Sequence, residues 1–214
     1  MSQPEPLSVA KRLVLDGSNL TCDTLVDAIT QQSDISLHTD CWDNVRRGRS
    51  IVDDIVARGI PAYGITTGVG SQKDFVVPQK DVTEYNMRLV RAHATRVPGP
   101  VLPERVVRAV LVIIINEFSL GHSGVRVDLI ETLIAAVNGG DMPKIDASGS
   151  AGASDLVPLA QLAVWLLSQD MGLEGNLPKA KETLSLINHN AVTLSLGAIA
   201  LVELKKLIAL YDLM

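Results

Sequence analysis

Along most of the chain, apolar residues return every three or four positions, the period of helices buried on one face. From residue 81 onward the pattern scarcely lapses. Residues 81–94 set Val82, Tyr85, Leu89 and Val90 on one side of a helix and polar residues on the other. Pro98-Gly-Pro100 breaks it, and Pro103 opens a second helix whose stretch 106–115 is apolar nearly all round, interrupted by Arg108. Asn116 ends that run and is expected to bond neighbouring backbone. Further helices are predicted over 127–137, closed by Asn138-Gly-Gly, over 155–167, with Pro158 in the first turn, and over 179–214, interrupted at Asn188-His189-Asn190. Before residue 81 the pattern is mixed. Residues 11–16 alternate like a short strand and meet a turn at Gly17, and a short helix starts at Thr21 and runs through Ala28. Thr39 or Asp40 can cap a longer helix in which Trp42, Val45, Ile51, Ile55 and Val56 recur, stopping at Gly59. The fold class is mainly α: a long-helix bundle over 81–214 and a smaller mixed region over 1–80, read together as a single domain.

Composition narrows the class. The chain has 214 residues, enough to bury a sizeable core, and with 47% hydrophobic residues but only 3% aromatics that core is Leu, Ile, Val and Ala. A net charge of -5 without a basic segment argues against a nucleic-acid partner. Cys22 and Cys41 are too few to staple such a domain, and no metal-ligand spacing is present. The polar N-terminus does not read as a signal peptide, and the 106–115 run is too short to span a bilayer. The expectation is a soluble cytoplasmic protein with no membrane partner. One feature calls for company: residues 198–214 keep an apolar helical pattern with no cap, so a helical partner is expected.

Two glycine-rich stretches and three polar residues carry the candidate chemistry. Tyr63-Gly-Ile-Thr-Thr-Gly-Val-Gly-Ser is long for a connector, with Gly64, Gly68 and Gly70 letting the backbone turn freely. It lacks the Lys-Ser/Thr of a phosphate loop, so a lid or active-site loop fits better. Gly149-Ser-Ala-Gly-Ala-Ser-Asp-Leu-Val-Pro-Leu opens a helix with almost no side-chain bulk, and read by itself it is a tight helix connection or a place for a polarised ligand atom. Tyr63 can act as a base or simply pack its ring, His93 can bind a ligand or sit satisfied in its helix, and Asn188 needs partners if buried.

Taken together and in order, these segments resemble the histidine and phenylalanine ammonia-lyase family. Tyr63-Gly-Ile-Thr-Thr-Gly-Val-Gly resembles its tyrosine loop and Arg91-Ala-His93-Ala the helix with its substrate-side histidine. Asn116-Glu-Phe-Ser-Leu-Gly-His-Ser-Gly-Val-Arg126, the 149–160 stretch and Leu186-Ile-Asn188 resemble three further family segments. The resemblance implies a long-helix bundle of the ammonia-lyase type. It also implies a prosthetic group made by the chain itself, a methylidene-imidazolone closed from an Ala-Ser-Gly tripeptide, with no external cofactor. Tyr63 would then be the base, His93 would orient the substrate, Asn188 would bond near the ring, and Ala153, Ser154 and Asp155 would occupy its position.

The sequence departs from that pattern. Where the family reads Ala-Ser-Gly-Asp-Leu, Ala153-Ser154 runs straight into Asp155-Leu156, and a Cβ at the closing residue crowds the turn that cyclisation compresses. The 167–177 connection is short, and the chain stops where family members are not yet half done. The expectation is therefore a divergent lyase-like subunit that keeps the loop without the ring. With a partner chain carrying the C-terminal half, it would catalyse a β-elimination (ammonia loss, dehydration or a related isomerisation) on a small or carrier-linked acid. The alternative is a non-catalytic scaffold or regulatory subunit of the same descent.

Overall fold

The computed structural model describes residues 11–96, 98–149, 154–168 and 177–214. It opens with β1 (Arg12–Leu15), α1 (Cys22–Thr30) and β2 (Asp34–Leu37), the strands paired in parallel with Leu15 beside Leu37 and the helix crossing between them. Thr21 starts α1 as expected, its hydroxyl accepting from the Thr24 N–H while the Thr24 hydroxyl accepts from the Thr21 N–H. α2 (Cys41–Ala57) departs from expectation: neither Thr39 nor Asp40 caps it through a side chain, and the His38 carbonyl accepts the Cys41 N–H instead. Its buried face is Cys41, Val45 and Val52, so the recurring Ile51 and Ile55 mark a separate, more open apolar strip.

α3 (Val82–His93) and α4 (Glu104–Phe118) follow, and α4 is the axle of the molecule. Its buried residues include Val107, Ala109, Val110, Leu111, Val112, Ile114 and Ile115, and α1, α5 (Val127–Gly139) and α8 (Ala191–Tyr211) pack around it. Each large aliphatic side chain so buried contributes about 1.5–3 kcal/mol. Arg108 fits this core by spending its charge on backbone: its guanidinium donates to the Val137 and Ser33 carbonyls, tying α4 to the end of α5 and the start of β2. Burial pushes its pKa below the usual guanidinium range.

Long-range bonds also explain two polar residues. The Asn116 carbonyl accepts from the neighbouring Ser119 hydroxyl, but its side chain reaches farther: Oδ1 accepts the Gly17 N–H at 3.1 Å and pins the turn after β1 to α4. Asn138 donates from Nδ2 to the Ile35 carbonyl and accepts the Ile35 N–H, both at 2.9 Å, doing for β2 what a third strand would. The sequence pattern does not predict β2, because four residues are too few for alternation to register.

α6 (Leu156–Ser168) and α7 (Glu182–Ile187) complete the order, both packed on α3. α8 presents Val192, Ser195, Ile199 and Val202 inward, whereas Leu194, Leu201, Leu204, Ile208 and Tyr211 are exposed. No helix among the described residues is long and apolar enough to cross a membrane.

Candidate functional site

The tyrosine loop is built mostly from its own backbone. The Ala62 carbonyl accepts from the N–H groups of Ile65, Thr66 and Thr67, and the Thr66 hydroxyl donates to the Ile60 carbonyl while accepting the Ala62 N–H. Thr67 and Val76 form an antiparallel bridge that closes the far side. Gly64 sits at φ +67°, and a Cβ there would fall 2.2 Å from Leu184 Cδ2, so glycine lets the loop lie directly on α7. Gly70, also left-handed at φ +58°, donates its N–H to the Tyr63 hydroxyl at 3.0 Å. Tyr63 is 55% exposed, so this bond and the turn around it fix the phenol without burying it.

His93 is the last residue of α3. Its Nδ1 lies 2.8 Å from the Leu89 carbonyl, which can only accept, so Nδ1 carries the proton and Nε2 is the free acceptor of the neutral ring. Between α3 and the loop lies a cavity of about 660 Å³, lined by His93, Arg88, Tyr85, Phe75 and Gly70 among others. Tyr63 is not itself a wall of it; its hydroxyl is joined to the cavity's lining through the Gly70 N–H. Sequence reasoning placed Tyr85 on the packing face of α3 and missed its second use: its hydroxyl accepts the Val69 N–H at 3.1 Å and holds the loop to the helix. Nothing in the local pattern signals that bond.

Ser154 and Asp155, from the second glycine-rich stretch, lie at the C-terminal end of α7. A buried ion pair fixes that short helix: Glu182, 1% exposed, accepts from Arg126 through N, Nε and Nη2 and from the Lys179 N–H. Breaking one partner of such a pair costs about 3–5 kcal/mol. The spacing of the sequence did not mark Glu182 or Arg126 as a pair. Desolvation lowers the Arg126 pKa, and Glu182, by hydrogen bond and by charge, outweighs it and raises the guanidinium above its ordinary value. α7 ends at Asn188, whose Oδ1 accepts from the Ser154 hydroxyl at 2.6 Å. Ser154 adopts φ +61°, a left-handed conformation that is strained for a residue with a Cβ. Ala153 lies outside the described residues. Neither Ser154 nor Asn188 lines the cavity between Tyr63 and His93.

Asp155 decides the character of this loop. It is 5% exposed, and its carboxylate accepts the Thr193 N–H at 2.9 Å and the Thr193 hydroxyl at 2.7 Å. Thr193 lies in the first turn of α8, so Asp155 caps that helix from 38 residues away. The Asp155 N–H donates to the His189 carbonyl at 3.0 Å, and the Asp155 carbonyl accepts from Leu159 to begin α6. Closing the family's ring would require the Asp155 nitrogen to attack the Ala153 carbonyl. In this chain that nitrogen donates to the His189 carbonyl, and the Asp155 carboxylate is tied to α8. Beside them His189 keeps a buried Nε2 with no hydrogen-bond partner, and burial lowers its pKa to about 4 against smaller opposing effects of Leu186 and Asp155. Among the described residues no group of three or more His, Cys, Asp or Glu is placed to hold a metal.

Comparison with known proteins gives the family. Residues 20–214 match the family model described as aromatic amino acid lyase. Histidine ammonia-lyase of Caldanaerobacter subterraneus subsp. tengcongensis is 33% identical over an alignment that covers 94% of this chain and 43% of that protein. Among solved structures, the ergothioneine-degrading enzyme ergothionase of Treponema denticola superposes with a TM-score of 0.85 at 25% identity, covering 92% of this chain and 43% of its own. Pantoea agglomerans phenylalanine aminomutase gives 0.84 at 27% identity, covering 94% and 42%. The chain thus spans less than half the length of the relatives it matches, and it belongs to the aromatic amino acid lyase family.

Proposed function

We propose that this chain is the Tyr63–His93 part of a lyase that eliminates a leaving group from a small β-substituted acid without the self-formed ring. The observation that carries the reading is Asp155. Its nitrogen and carboxylate are both engaged in structure, while the Tyr63–Gly70 and His93–Leu89 bonds stay in place around an open cavity. Without a built-in electrophile, the leaving group must depart largely unaided. The substrate class is therefore one already activated, such as a β-hydroxy acid held as a thioester or an acid bearing a good β-leaving group. The Tyr63 oxygen takes a proton from the carbon next to the one bearing the leaving group. The C–H electrons form the C=C bond, and the leaving group departs with the electrons of its own bond. His93 Nε2 accepts a hydrogen bond from the substrate and orients it, and the Asn188–Ser154 pair flanks the opposite end of α7.

The site is open because it is incomplete. Tyr63 and Asn188 are exposed, and α8 presents Leu194, Gly197, Leu201, Leu204, Ile208 and Tyr211 outward at alternating steps of three and four, the seam of a helix awaiting another. The remaining walls come from a helical polypeptide corresponding to the rest of the lyase fold.

Two measurements on the assembled protein test this. Intact mass is expected to equal that of the unmodified chain, and loss of two waters would overturn the ringless reading. Tyr63→Phe is expected to lower kcat on activated β-substituted acids by about 10²–10⁴-fold. Unchanged turnover removes Tyr63 as the base, and no turnover by the native assembly on any such acid favours a scaffold.

A further inference from the structure

A second concave surface lies away from the tyrosine loop's cavity, between α2 and the turn at residues 121–124. Its volume is about 570 Å³, within the range of small-molecule sites. Ile51, 58% exposed, Ile55 and Leu120, 39% exposed, supply its hydrocarbon lining. Arg47, one turn before Ile51 on α2, lines it too, with Lys181 and His122, and no Asp or Glu does among the described residues.

The neighbours of Arg47 show the contrast. Arg46 pairs with Asp43, Arg49 with Asp53 and Arg58 with Asp54, whereas Arg47 has no ion pair among the described residues. Lys181 is placed with equal particularity. It sits at φ +72°, held there beside the locked Glu182, and its ammonium donates to the His122 carbonyl at 3.3 Å. A left-handed backbone at a residue with a Cβ costs of order 1–2 kcal/mol and persists where surroundings impose it.

We infer that this groove is a second binding site, for a small organic anion with an apolar tail, its carboxylate between Arg47 and Lys181 and its tail along Ile51 and Ile55. Charge complementarity selects this occupant. A carboxylate supplies Arg47 with an acceptor and Lys181 with an anionic partner beyond the neutral His122 carbonyl, and an aliphatic tail covers the exposed Ile51. Burial already holds the Lys181 ammonium below its usual pKa, a cost that a bound anion offsets. The groove touches the tyrosine loop only through Ile65, includes neither Tyr63 nor His93 in its lining, and the inference does not rest on the elimination reading.

The test uses the full chain, with any partner that copurifies, and hexanoate as the probe in ligand-observed NMR titrations. Acetate serves as the tail-less control and hexanamide as the uncharged one. Saturable hexanoate binding at about millimolar concentration is expected, with both controls weaker by roughly tenfold or more. The double variant Arg47→Ala, Lys181→Gln is expected to lose at least about tenfold in affinity. Arg47→Ala alone, exposed and unpaired, keeps the fold and is expected to lose several-fold, so it decides the matter if the double variant melts early. Tyr63→Phe is expected to leave hexanoate binding unchanged. Equal binding by hexanamide, undiminished affinity in Arg47→Ala, weakened binding in Tyr63→Phe, or no saturable binding of hexanoate would overturn the inference.

Discussion

The two glycine-rich segments of this protein began alike and were stabilised by opposite means. The loop around Tyr63 is self-contained: short backbone bonds fold it, and Gly64 and Gly70 take left-handed conformations so that one N–H can meet the Tyr63 hydroxyl. The loop that ends at Asp155 is held from outside. Its hydroxyl goes to Asn188, its amide to His189 and its carboxylate to the first turn of α8. A loop that satisfies itself can keep a side chain exposed for chemistry, as Tyr63 is. Ser154 and Asp155 instead satisfy distant elements, and the Asp155 nitrogen is one of the groups so engaged.

Four changes would break or sharpen that contrast. The largest difference is expected in activity: Ser154→Ala in the assembled protein should cost less than roughly tenfold in kcat, against the deep loss from Tyr63→Phe. Equal losses would make both loops catalytic and restore the ring. Next is acid. The pKa of His189 is about 4 in the folded protein against 6.5 for the free side chain, so the unfolded chain takes the proton first. The stabilisation is complete above about pH 6.5 and is lost as the pH falls toward 4, by an amount on the order of 3 kcal/mol. Melting temperatures from pH 7 down to 4.5 should fall more steeply for the native chain than for His189→Gln, and parallel curves would refute this. Third, Asp155→Ala removes the cap of α8 and leaves the Thr193 N–H without its carboxylate, an expected loss of about 1–2 kcal/mol in chemical denaturation. A neutral result would return the loop to its catalytic reading. The smallest effect is expected at Gly64→Ala, about 1–2 kcal/mol from the left-handed backbone, with Leu184 able to swing aside. A larger loss would show that the tyrosine loop, too, depends on its contact with α7.

Most helices of this fold were legible from period alone. The apolar run in α4 and the polar-apolar division of α3 are local patterns with helical spacing, and the ends near Gly59 and Gly140 follow local turn chemistry. The candidate residues Tyr63, His93 and Asn188 were legible as motifs in order. What they touch was not. The cap by Asp155, the pinning of Gly17 by Asn116, the strand-like amide of Asn138 and the grip of Tyr85 on Val69 join residues from 16 to 103 positions apart.

The sequence by itself determined the helical class, the collinear motifs and the fact that one glycine is missing before Asp155, because each is a property of near neighbours. Only the tertiary structure decided what that absence means. Whether a side chain at the closing position is tolerated as a flaw or employed as an anchor depends on the donors it meets, and the donors, Thr193 and its helix, arrive through the packing of α6, α7 and α8. A buried carboxylate must find partners. Here it found them in the first turn of α8.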